Sequence, residues 1–197
     1  MTDFNVRGGE YHGWSNERCE QVYEQLIQVI RAYVSFGVVT AVDIQAYQEM
    51  VVGRELRRHF GNPYQCCVYC SIDHVCYWAR ENSVSERIAY ILERGDTGQK
   101  KIIKRTLSKV FENEDMCNRF QLGTLATVPK KHPEAIPCQA ADILAWEYRW
   151  ELEERRRAVP RQIRPTLDKV FFPSVRTVVW DRDTIPGLIA PFVTHSD

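Results

Sequence analysis

The sequence predicts an α/β or α+β layer fold, on three observations. Segments with apolar residues at helical spacing alternate with short β-branched segments. Most glycines and prolines fall between these segments, with Gly53 and Gly123 the exceptions. The order of the segments is helix–strand–helix–helix–strand–helix–strand–helix, which builds layers of helix on sheet.

The chain opens with "NVRGGEYHGWS" (5–15), glycine-rich and polar, hence a loop. Ser15 is placed to cap a helix carrying Val22, Leu26, Val29, Ile30 and Tyr33 on one face and ending at Gly37. "VVTAVDI" (38–44) predicts a strand, and "QAYQEMVVGRELRRHF" (45–60) one helix up to "GNP". "YQCCVYCSIDHVCYWAREN" (64–82) is too continuously apolar for an exposed strand and predicts a further helix. "ERIAYILER" (86–94) is the second strand. A helix follows over 99–113 with Ile102, Ile103, Leu107, Val110 and Phe111 on one face. "FQLGTLATV" (120–128) is the third strand, broken by Gly123. After the loop "PKKHPEAIP", Pro137 opens a helix running to about Arg157. The remainder, with Pro160, Pro165, Pro173 and Pro186, predicts a looser tail with a helical turn or two over 166–172.

At 197 residues the chain is long enough to bury one sizeable core. Its 26 basic and 26 acidic residues cancel, which excludes a generally basic nucleic-acid binder but not a local basic track. Basic residues do cluster, at 54–60, 100–105, 130–132 and 154–164, a pattern that solvated helix faces also produce. No apolar stretch reaches membrane-spanning length and the start lacks the zones of a secretory signal, so a cytoplasmic, non-membrane protein is expected. The seven cysteines are odd in number and crowded at Cys66, Cys67, Cys70 and Cys76, which favours reduced thiols over a disulfide framework. "CVYC" (67–70) has redox spacing, and Cys70 with His74 is an i, i+4 pair. A structural zinc site needs a second such pair, which is lacking, and a redox motif opens a helix rather than lying within one. The expected state is a buried thiol cluster.

Two acids stand out. Glu93 ends an apolar strand, and functional groups in α/β sheets gather at the carboxyl ends of strands. It is also readable as a strand-end acid paired with Arg94 or with the next helix. Asp142, in "CQAADILAW" (138–146), lies in a run of small and apolar residues where Ala141 and Ala145 would allow close packing. An acid at such a surface needs a partner, such as Arg149, or a cation. Two carboxylates from a strand end and a helix suit magnesium or manganese, which prefer oxygen ligands. Asp96 is a further ligand candidate, although capping of the following helix also explains it. Lys130, Lys131 and His132 could contact phosphate or stabilise a leaving group, and are also readable as loop residues.

"PCQAADILAWEYRW" with "YILERGD" and "TDFNVRGGEYHGW" resembles the bacterial and phage family known as domain of unknown function 3800, over about residues 1–160. The resemblance implies a ribonuclease-H-like mixed sheet flanked by helices. It also implies a divalent-metal-dependent nuclease or phosphodiesterase, with Glu93 matching the strand-end acid and Asp142 the helix acid. Family members carry an earlier strand with an Asp-Glu-Ser-Gly-like sequence whose aspartate is the first metal ligand. No residue here matches it, so an N-terminally truncated domain over 1–160, active or inactive as this chain, is expected, with a C-terminal extension over 161–197. The alternative is a non-catalytic accessory domain that binds nucleic acid or a protein through its basic helices.

Overall fold

The structure, a computed structural model, describes residues 12–93, 107, 108, 110–129, 135–155 and 175–193. It is mixed α/β. In chain order the described elements are α1 (Asn16–Tyr33), β1 (Gly37–Val42), α2 (Ile44–Met50), α3 (Arg54–Phe60), α4 (Pro63–Glu81) and β2 (Ile88–Glu93). Then come α5 (Glu114–Arg119), β3 (Leu122–Val128), α6 (Ile136–Arg155), β4 (Val175–Trp180) and α7 (Ile185–Val193). Among the described residues no helix is long and apolar enough to cross a membrane.

Local chemistry sets most of these bounds. The Ser15 hydroxyl accepts the Arg18 amide at 3.2 Å, capping α1. α1 stops at Tyr33, and Gly37 opens β1 rather than closing the helix. Asp43 belongs to the next helix instead of the strand: its carboxylate caps α2 through the Ala46 amide at 3.0 Å. The helix expected over 45–60 is two, because Gly53 takes a left-handed φ of 92° between α2 and α3. α4 begins with a reciprocal capping box, Asn62 accepting the Gln65 amide while Gln65 accepts that of Asn62, both at 2.9 Å.

The strands pair as two two-stranded sheets, β1 with β4 and β2 with β3. β2 and β3 are parallel. Ile88 faces Leu122 but Tyr90 faces Leu125, so β3 carries one extra residue at Gly123–Thr124 before the register runs on to Glu93 and Val128. Gly123 therefore marks a bulge inside a continuous strand rather than a break. A Cβ there would lie 3.0 Å from the Ile88 carbonyl oxygen, a spacing only glycine relieves. Residues 175–193, read from the sequence as part of a loose tail, form β4 and α7. The helical turns expected over 166–172, and most of the helix expected over 99–113, lie outside the described residues.

The chain divides into two compact units, each built from two segments: residues 1–37 with 136–175, and 38–135 with 176–197. The first unit packs Tyr23 and Ile27 of α1 with Ile143 of α6. The second holds two apolar clusters. One gathers Ala46, Tyr47, Val51, Cys66 and Ile185, and the other Cys76, Cys117 and Leu122. α4 supplies residues to both, which explains why its sequence is apolar almost all round.

Candidate functional site

Glu93 is the last residue of β2, opposite Val128 of β3, and is half-buried. It lies in the second unit. Asp142 lies in the first, in the second turn of α6, and is exposed together with Ala141 and Ala145. The close packing expected around Asp142 is thus on another face of its helix. Ile143 and Tyr148 are buried there, and so are Glu147, Glu151 and Glu154. Arg149, one alternative partner for Asp142, bonds Glu153 at 2.8 Å. Asp96, Lys130, Lys131 and His132 lie outside the described residues.

The carboxylate oxygens of Glu93 and Asp142 are donors of the kind a hard divalent ion takes. Among the described residues, however, no group of three or more His, Cys, Asp or Glu side chains is gathered closely enough to hold an ion. No metal-bound geometry follows from these residues.

The described residues do assemble a second constellation, in the second unit. An open cleft of about 570 Å³ lies between the two apolar clusters there, with walls that include Phe60, Ile72, Phe120, Leu122 and Leu188. Cys66, Cys70, Asp73, His74 and Trp180 also face it. All seven cysteines are free thiols. Cys66 is 1 % exposed. Its thiol is pushed far above the ordinary range, first because it donates a hydrogen bond to Cys70 and then because it is buried. Cys70 receives that bond, and accepts a second from the Trp180 indole N–H at 3.3 Å. The two donors hold the Cys70 thiol below its usual value, against burial and the charge of Asp73. Burial, then the nearby Cys70, pushes Cys67 up to about 11. Burial lowers His74, helped by the Arg176 guanidinium and opposed by Asp73, so its imidazole is favoured as the neutral base.

The cysteines of the expected buried thiol cluster therefore divide. Cys76 donates to the Phe120 carbonyl at 2.7 Å, as buried structural thiols do, and Cys117, outside that cluster, donates likewise to that of Phe111 at 3.1 Å. Cys70 instead accepts. The i, i+4 spacing of Cys66 and Cys70 was visible in the sequence, but Trp180 lies 110 residues further on and carries no local signal of this contact.

No family model, curated protein or solved structure matches the chain.

Proposed function

We propose that the chain is a ribonuclease-H-like, divalent-metal-dependent nuclease or phosphodiesterase acting on nucleic acid in the cytoplasm. The observation that carries the reading is the place of Glu93, at the carboxyl end of a strand in a parallel pair, where α/β sheets present their functional groups. Asp142, exposed on α6, is the proposed second ligand, with Asp96 as a further one. Lys131 and His132 are assigned to the phosphate. Magnesium or manganese would activate water and stabilise the departing oxygen, keeping several waters as co-ligands.

The test is cleavage of end-labelled single- and double-stranded DNA and RNA with magnesium or manganese. Cleavage is expected to fall at least 100-fold in Glu93→Gln and in Asp142→Asn, and to stop with chelator. Cleavage that persists in both variants, or no cleavage of any substrate, removes this reading.

A second reading is favoured by Arg57 and Arg58, exposed in the last turn of α3. A non-catalytic domain using that helix would bind nucleic acid without divalent ions, and binding would weaken steeply with salt. Retention on labelled RNA or DNA at low salt in the presence of chelator, lost in Arg57→Ala/Arg58→Ala, distinguishes it.

A further inference from the structure

We propose that the cleft of the second unit binds a small, mostly apolar α,β-unsaturated carbonyl compound, and that Cys70 captures it covalently. The volume of about 570 Å³ lies within the range of small-molecule pockets, and Phe60, Ile72, Phe120, Leu122 and Leu188 offer an apolar surface. Such a wall selects an uncharged ligand with a hydrocarbon or aromatic body. A thiol at this wall makes an electrophile the matching chemistry, since the thiolate is the nucleophilic form of cysteine.

The remaining cysteines define why Cys70 is the reacting one. Cys66, Cys76 and Cys117 are buried. Cys76 and Cys117 donate to backbone carbonyls, and Cys66 is paired with Cys70 away from solvent. Cys67 sits beside Cys70 with its proton held more tightly by burial. Cys70 alone among these accepts from an indole N–H, that of Trp180 at 3.3 Å. That bond stabilises negative charge on the sulfur before attack. Trp180 is thus a positioning residue, and Cys70 is the nucleophile.

In the step, the Cys70 sulfur forms a bond to the β-carbon of the ligand while the carbon–carbon π bond breaks. The electron pair moves to the carbonyl oxygen as an enolate. The α-carbon then takes a proton from water, replacing the one the thiol released. The net change is addition of the thiol across the double bond, with no oxidant, reductant or leaving group.

The experiment treats the full chain with 4-phenylbut-3-en-2-one and follows adducts by intact mass and peptide mapping. A denatured sample, in which all seven cysteines are open, serves as the reference. One adduct is expected on the folded chain, at Cys70, forming at least tenfold faster than at any other cysteine. The saturated ketone 4-phenylbutan-2-one should slow it by competition for the cleft. Trp180→Phe keeps an apolar wall but removes the donor, and should slow the addition severalfold while circular dichroism is unchanged. Acrylamide, small and polar, should show much weaker preference for Cys70. First labelling at Cys19, Cys67 or Cys138, or a Cys70 rate indifferent to the saturated ketone, overturns the proposal. Cleavage of nucleic acid does not enter any of these readouts, so the outcome is independent of the phosphodiesterase reading.

Discussion

Tyr23 donates its hydroxyl to Glu147, and the two side chains are 8 % and 1 % exposed. A carboxylate so far from water needs its donors, because an acceptor left unmatched loses hydration with nothing in return. Tyr23→Phe keeps the ring in place among Ile27 and Ile143 and removes only the donor. It is expected to cost about 1–3 kcal/mol, read as a lower urea midpoint at unchanged slope. An unchanged midpoint would show that other groups carry the carboxylate. Acids also show how far a single residue could be read from its neighbours. Asp142 drew notice because small residues surround it, yet Ala141 and Ala145 are exposed with it. The buried acids are Glu147, Glu151 and Glu154, which share a face with Ile143 at helical spacing. Glutamates at core positions flatten the amphipathic pattern of α6, so the pattern itself hid which face was inward.

Among the elements, most helices and three strands were legible because their caps and periodicity are local. Ser15, Asn62 and Gln65 make the bonds that their residue types favour. The join of α2 and α3 was not legible, since "MVVGREL" continues a helical pattern through a glycine that helices tolerate at modest cost. What breaks it is Val51, 1 % exposed and anchored in the first cluster, followed by Gly53 in the left-handed region. A Cβ at Gly53 would meet nothing within 4 Å, so the penalty of substitution is purely that of the backbone. Gly53→Ala should therefore destabilise by about 1 kcal/mol, seen as a fall of a few degrees in melting temperature. A rise would mean that the two helices can merge without loss.

For the molecule as a whole, the contacts between distant segments were the illegible part. β1 pairs with β4, and the Asp43 amide donates to the Trp180 carbonyl at 2.8 Å. Neither strand announces the other, because pairing across such a separation leaves no periodic trace. α7 completes the same region by burying Ile185 fully beside Ala46 and Tyr47. Removal of residues 175–197 is therefore expected to unfold more than the segment removed. Amide exchange over 38–51 should rise by at least 100-fold, whereas an independent tail would leave it unchanged. The same pairing sets an order in time. At roughly 5–20 residues added per second, β1 leaves the ribosome roughly 7–27 s before its partner. Throughout that interval its edge is open to other strands, and a slow stretch of translation before Val175 would lengthen the exposure.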